Sequence, residues 1–353
     1  MTPGAAKARI SVSGHPFDET LSFFTDELGF RLDRISPADN PTMAVVSHGG
    51  LSLCLDPAIS TSTSPSQVVR IESGAAPRLT APNGVEIEFV DPAVTTVVVP
   101  ELAPELVFSL AGDDANWVIG RAGMRYRDLI PSRLGGRFIA SHIEVCDGGP
   151  VPDLVHHHAI RFQMIFCHRG WVDVVYEDQG EPFRLEAGDC VLQPPHIRHR
   201  VLESSAGAQV VEIGCPAEHD TFFDYELDLP TSTIDPDRDF GGQTFVRHQA
   251  AQVPWGPAAH PCFEVQHTAI EQATKGLASV RILRNAGETA TASTSHDSEF
   301  WFLFVLEGAT HFVVDGSEPT AMAVGDSVAI PSGVTWRLHD ASADLTLLEV
   351  VVA

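Results

Sequence analysis

Four residues in the middle of the chain have the types and spacing for metal chemistry: His156, His158, Gln163 and His199. Side chains alternate across a β-strand with period two, so His156 and His158 share one face if the segment is extended. A third histidine on a neighbouring strand completes a set of three neutral imidazoles. Such a set leaves coordination positions open on a bound divalent metal, as a catalytic site requires. Imidazole suits Fe, Ni, Cu, Co or Zn, and the ligand types alone do not choose among them. Gln163 is a neutral amide. It is a weak ligand or a supporting partner, and it cannot serve as the general base that a carboxylate would be.

The elements that must position these residues read as short strands. Candidates are Trp117–Ile119, Gly136–Val145, His156–Ile160, Phe162–Cys167, Trp171–Tyr176, Phe183–Leu185, Cys190–Gln193, Arg198–Leu202 and Gln209–Ile213. Even spacing, turn signals and scarce helical periodicity point to a sandwich or barrel. Ile160, Phe162, Ile165 and Val201 are candidate apolar walls, and Tyr176 and Trp171 are candidates for cavity or core. Arg161, Arg198 and Arg200 are candidate anchors for a substrate carboxylate or enolate, although strand parity sets Arg198 and Arg200 opposite His199. His157 alternates to the outside, while His168 and His196 read as turn residues.

The run Gly149…His156-x-His158-x4-Gln163-x6-Gly170, followed by Gly188-x5-Pro194-x4-His199, resembles the two motifs of the cupin family. It departs from them in Gln163, where that family carries a glutamate, and in His196, where it carries a glycine. The resemblance implies a barrel with His156, His158 and His199 as metal ligands. It also adds Mn to the candidate metals, with Fe(II) first and Mn, Ni, Zn or Cu as alternatives. Without Gln163 as a ligand, the site resembles the three-histidine iron sites of the same superfamily.

A second copy follows. Residues 161–170 align without gaps on 299–308, and Gly188-Asp189 and Pro194 align on Gly325-Asp326 and Pro331. Strands are expected at Phe263–Ile270, Ala278–Leu283, Phe300–Leu306, His311–Val314, Ser327–Ile330 and Leu345–Val351. The ligands do not repeat: His156 aligns on Thr294, His158 on His296, Gln163 on Trp301 and His199 on Trp336. The second barrel is therefore expected to be structural, with the two tryptophans filling its interior. His296 reads as a hydrogen-bonded pocket histidine, and Glu299 and His339 have the wrong parity for an off-pattern site.

Before the barrels lie a strand at 8–13, a helix over Phe17–Phe30 and strands at Phe30–Ile35, Met43–Ser47, Leu51–Leu55 and 85–90. Residues 57–80 read as an exposed polar loop. The runs 21–30 and 81–89 resemble one βαβββ module of the vicinal oxygen chelate (glyoxalase-like) family. In that family a first-strand His or Gln and a last-strand Glu often hold a metal. Here Glu88 takes the last-strand position, but the first-strand position near Ala8 carries no ligand. The resemblance thus implies a structural or dimerising role, or else a site completed by a partner, and a homodimer that becomes monomeric when residues 1–95 are deleted.

The fold expected is mainly β: a glyoxalase-like module at 1–98, a metal-binding cupin barrel at 99–230 and a ligand-depleted barrel at 231–353. A net charge of −25 argues against a nucleic-acid partner, which clustered cations would attract. No run reaches the ~18 apolar residues of a membrane span, and residues 1–7 lack a signal-like apolar core, so a cytoplasmic protein is expected. The six cysteines form no Cys-x-x-Cys pair and read as reduced thiols. The function that the cupin resemblance implies is that of a metal-dependent enzyme, a dioxygenase acting on a small chelating enol, diketone or hydroxylated aromatic. A cupin isomerase, cyclase or lyase, or a non-catalytic binding module, is the alternative.

Overall fold

The computed structural model describes residues 9–37, 41–59, 67–72, 77–90, 97–112, 117–119 and 124–353. The chain divides into two compact units, Met1–Thr96 and Val97–Ala353.

The first unit contains a four-stranded sheet in the order Ile10–Ser13, Leu51–Asp56, Met43–His48, Arg31–Ser36. Its helix is shorter than the sequence suggests. An α-helix at Phe17–Ser22 runs into a π-helical turn at Phe23–Glu27, which buries Phe23 and Phe24 against Val46, Leu53 and Leu55. The expected loop over 57–80 holds two strands, Val68–Glu72 and Leu79–Thr80, and its residues 60–66 and 73–76 lie outside the described ones. The alternation Val69, Ile71 had signalled a strand. The Glu86–Val90 strand joins these two in a separate three-stranded sheet. There Glu88 pairs with Arg70 at 2.8 Å and Arg78 at 3.1 Å. The first-strand position near Ala8 lies outside the described residues.

The second unit consists of two barrels that follow the strand rhythm of the sequence, with Trp171–Tyr176 and Ser327–Ile330 at the expected bounds. Some expected strands are shorter: one begins at Ile139 and not at Gly136, His156–His158 stops before Ile160, and Phe263–His267 stops before Ile270, which opens a short helix at Ile270–Ala273. The first barrel faces a seven-stranded sheet, containing Phe162–Arg169 and Ala208–Cys215, against a sheet containing His156–His158, His199–Ser204 and Trp171–Tyr176. The second repeats this with Phe300–Glu307 and Thr346–Val352 in one sheet and Ala309–Val314 and Trp336–His339 in the other.

The barrels do not separate at residue 230. Val107–Ser109 pairs with Ser327–Ile330 of the second barrel, and Val246–His248 pairs with Cys190–Leu192 of the first. Each barrel thus borrows an edge strand from sequence assigned to the other, which covers an edge that would otherwise expose unpaired backbone groups.

Alternation explains how one strand serves both a site and an interface. On Phe162–Arg169, the even residues Phe162, Met164 and Phe166 enter a core shared with Phe300, Phe302 and Phe304 of the second barrel. Phe138 stacks on Phe300 across that core at 4.3 Å between ring centroids. The odd residues Gln163 and Ile165 line the first barrel's interior. Phe162 is therefore an interface residue and not a cavity wall, and Ile160 is buried away from the cavity lining. Arg161 is likewise no substrate anchor: it pairs with Glu299 at 3.0 Å, and Arg137 reaches the same carboxylate at 2.6 Å.

His168 is not an exposed turn residue. It is buried beside His142, Nδ1 to Nε2 3.4 Å, with the Phe304 ring against both. Burial lowers His142 to a pKa of about 3, helped by the charges of His168 and Arg127. Burial lowers His168 to about 4 despite the Leu306 carbonyl. The unfolded chain, with histidines near pKa 6.5, therefore takes up these protons first, so stability is full above that value and is lost as pH falls. Between pH 7 and pH 5 each histidine costs about 2 kcal/mol by this linkage. Urea midpoints at the two pH values check it. The midpoint should fall at pH 5, and by less in a His142→Phe/His168→Leu variant; equal falls in both proteins contradict the assignment.

Candidate metal centre

His156 and His199 sit directly opposite each other on paired antiparallel strands. His158 lies two residues along the same strand as His156, and its ring is 5.1 Å from that of His156 and 5.3 Å from that of His199. One ring nitrogen from each of the three lies within 4.8 Å of the others. His156 and His199 are buried, 2% and 6% exposed, and His158 is half-buried.

The far nitrogens of these rings are held. His156 Nδ1 donates to the Leu154 carbonyl at 2.7 Å and His199 Nδ1 donates to the Ile197 carbonyl at 3.0 Å. A carbonyl only accepts, so both rings carry their proton on Nδ1 and the lone pair on Nε2. His158 Nδ1 lies 2.9 Å from the Thr221 hydroxyl. Anchoring one nitrogen to fix the tautomer and the ring orientation is how proteins prepare a histidine to ligate a metal. The buried Asp153 carboxylate stands 3.7 Å from His156 Nδ1 and accepts the Val201 N–H at 3.0 Å, bracing both strands.

Gln163 lines the same cavity and donates from Nε2 to Glu212 Oε1 at 2.6 Å. A carboxylate only accepts, so this bond sets which way the amide faces. Glu212 is the residue that the sequence reading missed. It lies opposite Ile165 on the Ala208–Cys215 strand and lines the cavity. Glu349 holds the equivalent place opposite Leu303 in the second barrel. A lone acid between Val211 and Ile213, repeated at the matching position between Leu348 and Val350, was the available signal.

The cavity measures about 120 Å³ and is walled by Met124, Ile143, Val145, Ile165, Val174 and Val201, among others. Tyr176 closes it on one side, its ring stacked 5.5 Å from His199 and its phenol held protonated by burial. Trp171 stays outside, under the Arg184 guanidinium. Arg198 pairs with Glu177 and Asp224 and so does not point a free cation at the site. His157 faces away, stacked on Phe222 with Nδ1 3.3 Å from His196 Nδ1. His196 adopts φ +63°, and its counterpart Gly333 adopts φ +79°. The turn keeps the glycine-type backbone at a histidine, which is uncommon for a residue with a Cβ.

A family model described as "Cupin domain" matches residues 281–351. That match covers the second barrel, the one without the histidine set. Solved structures resemble this chain over about three quarters of its length. Protein Ylba from E. coli superposes with a TM-score of 0.53 at 13% identity, covering 74% of this chain and 95% of that one. Salicylate 1,2-dioxygenase from Pseudaminobacter salicylatoxidans gives 0.52 at 18% identity, covering 74% and 90%. Oxalate decarboxylase from Bacillus subtilis gives 0.51 at 12% identity, covering 74% and 79%. A search of curated proteins finds no match to this chain. No helix among the described residues is long and apolar enough to cross a membrane, and all six cysteines are free thiols.

Proposed function

We propose that the first barrel is the active site of a metal-dependent enzyme, with one divalent transition metal held by His156, His158 and His199. The convergence of three ring nitrogens within 4.8 Å, two of them fixed in tautomer from behind, carries this reading. The donor set is neutral and nitrogen-only, which fits Fe(II) first and Mn, Ni, Zn or Cu as alternatives. When bound, the metal supplies a Lewis acid that lowers the pKa of an enol or phenol oxygen it chelates.

The remaining work falls to side chains of this barrel. Glu212 takes a proton from the substrate, with Gln163 holding the carboxylate in place. The apolar walls keep water away and strengthen every charge interaction inside. A cavity of about 120 Å³ restricts the guest to a small molecule, since an apolar cavity of ~150 Å³ is filled by one benzene. The substrate class is therefore a small chelating oxygen compound, such as an enol, a β-diketone or a compact hydroxylated aromatic.

The first reaction assigned is dioxygen insertion into such a compound. The Glu212–Gln163 pair favours a second reading, in which a base and a metal isomerise, cyclise or cleave the substrate without dioxygen. Acetylacetone turnover by the metal-loaded protein, followed with and without dioxygen, separates the two. Dioxygenation predicts consumption of one dioxygen per diketone and no product under argon. Product formation that continues under argon sinks the oxygenase reading and leaves the second.

A further inference from the structure

The second barrel is not filled by its tryptophans. It encloses a cavity of about 450 Å³, larger than the about 120 Å³ beside the three histidines. Trp336 lies flat against Phe312, ring centroids 5.2 Å apart at 17°, and Trp301 stands edge-on to it. The indoles therefore coat the wall and leave the centre open. His296, the one histidine kept from the ligand pattern, is tied to the Ile330 carbonyl at 3.1 Å and does not line the space.

The lining is mostly apolar, including Phe263, Val265, Leu283, Leu303, Leu338 and Leu347, with one charged pair set into it. Arg281 meets Glu349 at 2.6 Å; Glu349 keeps 7% of its side-chain surface and Arg281 keeps 27%. Burial raises the Glu349 pKa, while Arg281 and Trp301 draw it back down. Arg281 is thus the more exposed partner of that pair, beside the smaller polar contributions of His260, His267, Thr291 and Thr294 to the lining. Its Nε and the Trp336 Nε1 have no hydrogen-bond partner, so this wall carries more N–H donors than acceptors. A volume of about 450 Å³ falls in the ~300–1,000 Å³ range of small-molecule pockets, which combine apolar walls with a few orienting polar groups.

We propose that the second barrel is a metal-independent binding site for a neutral, largely apolar molecule, of at least bicyclic size, bearing a carbonyl or similar acceptor. Glu349 already balances the Arg281 charge, so a ligand carboxylate would meet a second carboxylate in a low-dielectric space. A neutral acceptor takes the spare N–H groups of Arg281 without that repulsion. The site lies apart from the histidine centre and needs none of its residues.

Calorimetric titration of the full chain with 2-acetonaphthone, a bicyclic ketone too bulky for the first cavity, tests this. Single-site saturable binding is expected, with 2-naphthoate binding at least tenfold more weakly. Thr294→Trp, which puts bulk at the cavity lining, should abolish the signal. Arg281→Met/Glu349→Gln, which removes the pair together and so leaves no buried charge unpaired, should weaken it at least tenfold; thermal melts confirm that both variants fold. His156→Ala/His199→Ala should bind the ketone as the parent does. No saturable ketone binding, or binding that persists in folded Thr294→Trp, overturns the site. Loss of binding in His156→Ala/His199→Ala places it in the other barrel and also overturns the proposal. Tighter binding of the naphthoate overturns the neutral ligand class.

Discussion

Glu212→Gln lowers turnover by about 10²–10⁴-fold, the range contributed by a positioned general base, while the metal content is unchanged. The expectation rests on a division of labour in the first barrel. In the proposed centre three neutral imidazoles would hold the metal, and among the described residues the only carboxylate lining that cavity is Glu212. Gln163 cannot accept a substrate proton. Its Nε2 is committed to Glu212 at 2.6 Å, so its effect on chemistry runs through the acid. The glutamine variant preserves shape and removes charge. A drop in rate with intact metal stoichiometry therefore reports proton transfer and not loss of the site. Glu212→Asp separates this from a structural effect, because a shorter carboxylate should restore part of the turnover that the amide loses. Unchanged turnover would remove Glu212 from the mechanism.

Phe302→Ala destabilises the second unit by about 3–5 kcal/mol, the usual cost of deleting a buried aromatic ring. Phe302 is fully buried in the core that the two barrels share, and its ring lies 5.8 Å from that of Phe300. This core and the exchanged edge strands tie the barrels together, so both should unfold in one transition. Urea denaturation followed by near-ultraviolet and far-ultraviolet circular dichroism reads this. A loss under about 1 kcal/mol, or two separated transitions, would show that the shared core does not couple the barrels.

The histidine set was legible because period-two alternation and the internal repeat both act over a few residues. His156 and His158 share a face whatever the exact register, and the repeat shows the framework persisting with Thr294 and Trp336 in place of two of the ligands. Glu212 was not legible in the same way. Its place in the site depends on pairing with Ile165, a contact nearly fifty residues away in sequence. The exchanged strands Val107–Ser109 and Val246–His248 have three residues each, too few for alternation to register. Side-chain volume misled in the second barrel. Two tryptophans suggest a filled interior, but stacking on Phe312 lays Trp336 along the wall. The arginines misled for a related reason. Their type fits an anion site, yet Arg161 and Arg198 are consumed by Glu299, Glu177 and Asp224, acids on other strands and loops.

The most direct test is the metal content of the purified protein beside that of His199→Ala, measured by plasma mass spectrometry on the same preparation. A centre built on His156, His158 and His199 predicts about one divalent transition metal per chain in the parent and near zero in the variant. Metal retained at full stoichiometry in a folded His199→Ala protein would contradict it.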